Sequence, residues 1–184
     1  MDAAVQAVSR RPSVYVALLR GVNVGGNNAM PMADLRALFG ELGLVDARTY
    51  IQSGNVIFSS PTWPDASTLE TAIEERFAIK TNVVLRSAGD LGAAVEHNPF
   101  SLEEEAGLHV GFMARTVSKE KIAALDHERF GLDRFAVVGS EVYYFLPLGI
   151  GRSKLPSYVV RALEVPVTTR NWNTLNKLVE LTTS

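Results

Sequence analysis

The sequence predicts an α+β protein in which the order β-α-β-β-α recurs twice, and three observations lead there. Short β-branched and aromatic runs begin each half, S-V-Y-V-A-L-L-R at 13–20 and L-H-V-G-F-M-A at 108–114. Two glycine–serine turns, Ser53-Gly54 and Gly139-Ser140, each separate a pair of strand-like runs. Segments with apolar residues at helical spacing fall between these extended pieces.

In chain order, residues 13–20 read as a central strand, and a glycine-rich loop follows. Pro31 then opens a helix with Leu35, Leu38, Phe39 and Leu42 on its apolar side, and Gly43 stops it. Residues 47–52 and 55–59 form the first strand pair. The S-T-L-E run at 67–70 predicts a capping box for a helix through Ile73 and Phe77. Residues 82–86 close the first unit as a strand, and 88–97 add a short helix. H-N-P-F at 97–100 and E-E-E-A-G at 103–107 read as a linker. The second half offers a strand at 108–114 and a helix at 118–130 with Ile122, Leu125 and Phe130 as its apolar positions. Strands at 134–138 and 141–147 come next, then a helix near 154–163 that Pro156 interrupts early. V-P-V-T-T is brief and extended, and a last helix starts near Asn171. The expected architecture is two tandem ferredoxin-like βαββαβ subdomains with antiparallel sheets, at 13–98 and 99–184, after a loosely ordered terminus at 1–12.

Composition narrows the chemistry. The 184 residues carry a formal net charge of −2, which gives no global attraction to nucleic acid or anionic membrane. Cysteine is absent, so disulfides, thiolate catalysis and cysteine zinc sites are excluded. The three histidines, His97, His109 and His127, have no metal-ligand spacing, and Glu103-Glu104-Glu105 reads as a solvated charge run. No metal is expected. The first dozen residues lack the apolar core of an export signal, and the run Val14–Leu19 is too short to span a bilayer. A cytoplasmic protein without membrane contact is expected.

Four segments carry more glycine and polarity than turns require. The first is L-R-G-V-N-V-G-G-N-N at 19–28, with Arg20, Asn23, Gly25 and Gly26. Its glycines would let backbone N–H groups approach an anion ahead of a helix N-terminus. Its spacing is neither a dinucleotide fingerprint nor a Walker loop, so no cofactor is expected, and a plain turn with positive φ fits as well. The second, Q-S-G-N at 52–55, holds Ser53 and Asn55 and is most simply a hairpin turn. The third, G-I-G-R-S-K at 149–154, offers Arg152, Ser153 and Lys154 at a helix start, or a solvated basic turn. In the fourth, T-T-R-N-W-N-T-L-N-K-L at 168–178, helical projection places Arg170, Asn173, Thr174 and Lys177 within about 100° of one another. Trp172 falls on the opposite, core-facing side. These segments hold donors and no carboxylate, so binding an anion is easier to support than catalysis.

These motifs also resemble a known family. L-L-R-G-V-N-V-G-G-N at 18–27, M-A-D-L-R at 32–36, T-Y-I-Q-S-G-N-V at 49–56, G-R-S-K-L at 151–155 and the 168–178 segment are similar to the domain of unknown function 1697 family. The resemblance covers about residues 14–181. It implies a bacterial-type cytosolic α+β protein with tandem ferredoxin-like parts, and it carries no catalytic residues.

The leading expectation is therefore a pocket for a small phosphate- or carboxylate-bearing ligand, formed where the four segments converge. Arg152, Lys154, Arg170 and Lys177 would supply charge, and Asn23, Asn55, Ser153 and Asn173 orientation. Whether a reaction follows, and in what oligomeric state, is left open. An RNA-binding sheet would use Tyr15, Tyr50, Tyr143 and Tyr144 for stacking, against the overall charge, so nucleic acid is the weaker partner. A third reading has the polar segments fasten the two halves together.

Overall fold

The computed structural model describes residues 12–24, 28–100 and 106–183. Most of the terminus expected to be loosely ordered, the glycines Gly25 and Gly26, and the run Glu103–Glu105 lie outside the described residues. The first unit comprises β1 (Ser13–Leu19), α1 (Met32–Glu41), β2 (Val45–Tyr50), β3 (Asn55–Ser60), α2 (Ala66–Phe77), β4 (Val83–Ser87) and α3 (Ala88–Glu96). The second repeats the order with β5 (Leu108–Met113), α4 (Lys119–Ala123), β6 (Arg134–Val138), β7 (Glu141–Phe145), α5 (Leu155–Leu163), β8 (Val167–Asn171) and α6 (Trp172–Thr183). Each unit forms a four-stranded antiparallel sheet, ordered β2-β3-β1-β4 and β6-β7-β5-β8. The tandem βαββαβ expectation holds.

Strand alternation explains the layering. Val16 and Leu18 of β1 point to one side of the first sheet, and Tyr15, Ala17 and Leu19 to the other. The outer face packs on α1 and α2 through Leu35, Phe39, Leu69 and Ile73. The inner faces of both sheets share one cluster with α3 and α6, joining Val16, Leu18, Val110, Phe112 and Tyr143 to Leu91, Trp172, Leu175 and Leu178. The outer face of the second sheet packs on α5 through Val159 and Leu163. Trp172 is a packing residue, as its place in the projection predicts.

Several local expectations are corrected. The helix foreseen over 118–130 ends at Ala123, because the Asp126 carboxylate accepts from the Glu128 amide and the Asp126 amide donates to the Tyr158 hydroxyl, which fixes a turn. The S-T-L-E run is not a capping box. Asp65 caps α2 by accepting from the amides of Ser67 and Thr68, and Glu70 instead accepts from the Val83 amide at 2.7 Å. A genuine capping box sits at Ser87 and Asp90. Pro156 occupies the first turn of α5, where it has no helical N–H to withhold, so it starts the helix rather than interrupting it.

Two arginines lock the units together in a reciprocal way. Strand β4 reads V-V-L-R-S and β8 reads V-T-T-R-N, so Arg86 and Arg170 occupy the same place. Arg170 Nη2 donates to Leu19 O at 2.8 Å and Ser53 O at 3.0 Å, Nη1 donates to Thr169 O at 2.9 Å, and Nε donates to Asn55 Oδ1 at 2.6 Å. Arg86 reaches across in the opposite sense. Its Nη2 donates to Met113 O at 2.9 Å and Ser140 O at 3.3 Å, Nη1 to Leu85 O at 2.9 Å, and Nε to Glu141 Oε1 at 3.0 Å. Each guanidinium thus ties the end of the partner unit's first strand to its hairpin turn.

Removing a buried fork strands several acceptors at once. Arg170→Ala is expected to cost about 2–5 kcal/mol in urea unfolding, since Leu19 O, Ser53 O and Asn55 Oδ1 lose their donor. Lys177→Ala should change stability by no more than about 0.5 kcal/mol, because among the described residues its ammonium meets only Glu180, at 2.7 Å on the helix surface. The reverse order would refute this account of the clasp.

A second prediction concerns acid. His109 is buried, and its Nδ1–H donates to Gly107 O at 3.1 Å. Burial pushes the imidazole below its ordinary 6.5. The unfolded chain therefore binds the proton first on acidification, so this contribution is complete above pH 6.5 and is lost as pH falls through the folded value. His109→Asn should flatten the stability–pH profile between pH 6.5 and the folded value; an unchanged slope there would refute it.

Candidate functional site

The loop after β1 is held by asparagines. Asn23 and Asn28 both take positive φ, 54° and 52°. The Asn23 amide donates to Met30 O and Gln52 O, its Oδ1 accepts from Met30 N, and Asn28 Nδ2 donates to Gly21 O. Asn23 therefore pins this loop to the β2–β3 turn. Gly54 in that turn has φ 74°, and a Cβ there would meet Val22 Cγ2 at 2.4 Å and Leu19 Cβ at 2.8 Å. Only glycine allows the hairpin to lie against the loop.

All four polar segments contribute to one cleft of about 640 Å³ between the units. Arg20, Gly21, Val22 and Val24 line it from the loop, and Ile51 and Ser53 from the hairpin. Ile150 comes from the turn before α5, Pro156, Ser157 and Val160 from α5 itself, and the entire strand β8 forms one wall. Thr174 of α6 completes it.

Of the residues proposed from sequence, Arg20, Ser53 and Arg170 line this cleft. Asn55 is fully buried behind Arg170, donating to Tyr50 O and Ser53 Oγ. Arg152, Ser153 and Lys154 sit on the turn into α5 without lining the cleft; Ser153 Oγ accepts from the Leu155 amide. Asn173 and Lys177 lie outside the lining as well, and Lys177 is engaged by Glu180. The helical projection fails at Arg170, which belongs to strand β8 and not to α6. Sequence reasoning missed Thr169, Asn171 and the aliphatic rim. The matching strands V-V-L-R-S and V-T-T-R-N are the signal that would have extended the brief V-P-V-T-T piece through Arg170. The aromatic platform of the RNA reading is absent among the described residues. Tyr15, Tyr143 and Tyr144 are buried, and Tyr50 packs against the inner core.

Charge sets the two clasps apart. Arg86 is paired with the Glu141 carboxylate, whereas Arg170 meets only neutral acceptors. The Arg170 residue is 8 % exposed, and burial lowers its pKa from 12.5 to about 10, which leaves it charged at neutral pH. Of its five N–H groups, the second on Nη1 has no protein partner among the described residues. Arg20 is the second arginine residue of the lining, its side chain without a partner among the described residues, and none of the described lining residues carries a carboxylate.

The backbone makes the same contrast. Among the described strands β8 is at the sheet edge, with β5 as its neighbour. The Ala114 amide bonds Pro166 O at 2.9 Å, so by alternation Thr168 and Arg170 complete the ladder, while the N–H groups of Val167, Thr169 and Asn171 point away from it. On the equivalent edge β4, the Val83 amide donates to Glu70 at 2.7 Å and the Ser87 amide to Asp90 at 2.8 Å. Thr174 stands where Asp90 would be, and none of the described residues accepts from the three β8 amides. The first unit covers both ends of its edge with its own carboxylates, the central Leu85 amide having none among the described residues; at the second edge no carboxylate of the described residues returns to either end.

Among the described residues no group of histidine, aspartate and glutamate side chains could hold a metal ion, and no helix is long and apolar enough to cross a membrane. No curated protein matches the chain. The conserved bacterial protein SP0830 from Streptococcus pneumoniae is similar in structure, with a TM-score of 0.69 and 25% sequence identity over 94% of this chain and 99% of that one. The family model described as protein of unknown function (DUF1697) matches residues 13–143. The tandem sheets, the loop L-L-R-G-V-N-V-G-G-N and the Q-S-G-N hairpin thus come with a family: the chain belongs to DUF1697.

Proposed function

We propose that the protein binds a small molecule bearing a phosphate or carboxylate in the cleft beside β8. The observation that carries this reading is the uncompensated charge of Arg170, a buried cation whose counterpart Arg86 has Glu141 and which itself has only neutral partners. Burying a charge without its counter-charge is costly, and an anion entering the cleft would offset that cost. Arg20, from the loop after β1, adds a second cationic residue to the lining, and the β8 amides add oriented donors. The volume of about 640 Å³ suits a small ligand. Val22, Ile150, Pro156 and Val160 supply an apolar wall, which favours an anionic group attached to a hydrocarbon part.

The arrangement supplies binding and orientation. Among the described lining residues neither histidine nor carboxylate stands ready to move a proton or activate a hydroxyl, so recognition rather than turnover is the activity these residues support.

Titration calorimetry with inorganic phosphate and with butyl phosphate tests the proposal. Both should bind, butyl phosphate more tightly, with affinity falling as salt rises. Arg20→Ala should weaken binding about tenfold, or about 1.4 kcal/mol, with unfolding unchanged. Absence of binding at millimolar ligand, or binding indifferent to Arg20→Ala, would refute it.

A further inference from the structure

We propose that the anionic ligand is an extended peptide with alternating acidic and aliphatic side chains, which adds to the free edge of β8 as a fifth strand. This rests on the anion reading of the same cleft and goes further by naming the class of ligand.

The spacing of the donors carries the inference. Val167, Thr169 and Asn171 present outward N–H groups at every second residue, a repeat of about 6.6 Å along a strand. One compact anion reaches only one of these. The carbonyls of an added strand recur at the same interval and can meet both Thr169 and Asn171, the two whose residues are open to solvent, whereas Val167 is buried. The chain itself demonstrates that carboxylates suit such positions, because Glu70 and Asp90 occupy both ends of the equivalent edge on β4.

Side-chain preference follows from the two walls. Alternate residues of an added strand face opposite sides. One row would face the first unit, from which Arg20 enters the lining and towards which Arg170 reaches, and so favours acidic residues. The other would face α5 with Ile150, Pro156 and Val160, and favours aliphatic ones. The rim carries exposed apolar surface suited to a partner: Val24, Ile51 and Ile150 are 62%, 50% and 41% exposed.

The test uses the full chain, a capped pentapeptide Glu-Val-Glu-Val-Glu, its lysine counterpart Lys-Val-Lys-Val-Lys, and inorganic phosphate measured separately. The acidic peptide is expected to bind at least tenfold more tightly than the lysine peptide. Hydrogen exchange followed by NMR should slow at Thr169 and Asn171 on peptide addition and stay unchanged at Thr168 and Arg170, which already donate within the ladder. Thr169→Pro removes the central outward donor without removing a ladder bond, and should weaken the peptide at least tenfold more than it weakens phosphate. If that variant does not fold, the exchange pattern of the unmodified protein decides. Phosphate binding without peptide binding would overturn the strand proposal and leave the anion site standing. Peptide binding with no protection at Thr169 and Asn171 would overturn it too. Failure of both ligands would overturn the anion reading itself.

Discussion

Two arginines reaching in opposite directions are what make this chain one object. Each sits near the end of an edge strand, and each converts loose carbonyls at the end of the other unit's first strand and hairpin into hydrogen-bonded ones. The apolar layer of α3 and α6 supplies area, but area is tolerant of small slides. Guanidinium forks are not, because their donors are planar and fixed in direction. Arg170 ties β8 to the end of β1 and to the β2–β3 turn, while Asn23 and Gly54 hold the loop after β1 against that turn. These contacts together set the walls of the cleft.

Much of the architecture was legible because alternation and helical spacing report burial directly. Both glycine-centred hairpins and the paired βαββαβ order follow from that. Helix limits were less legible where a side chain competes for backbone groups. Asp126 ends α4 early, and Asp65 caps α2 ahead of the Ser-Thr pair that imitates a cap. The candidate site was legible as a set of segments and much less so as a set of residues. A helical projection grouped Arg170 with Lys177, although a strand-to-helix boundary at Asn171 separates them. Whether an asparagine orients a ligand or holds its own loop depends on which carbonyls fold beside it, and Asn23 and Asn55 hold loops and an arginine.

The β4 and β8 edges form an internal control. They share a strand pattern, an arginine and a following capped helix, and they differ in whether carboxylates return to cover the donors. Glu70 and Asp90 cover the two ends of the first edge, and Glu141 balances the charge of Arg86. The second edge retains the geometry that accepts anions and lacks the anions. A difference of this kind separates donors that serve only the fold from donors left available to something else.

Joining the units in one polypeptide has a consequence for symmetry. Two identical chains meeting through an isologous interface must place the same residue in both copies of every contact. Such a dimer would have two self-covered edges or two open ones. Here position 55 is asparagine while its counterpart 141 is glutamate, and position 174 is threonine while its counterpart 90 is aspartate. Covalent linkage releases the two halves from identity while preserving their mutual grip. One half can then keep its charges balanced for stability, and the other can carry a single directional opening on a nearly symmetric body.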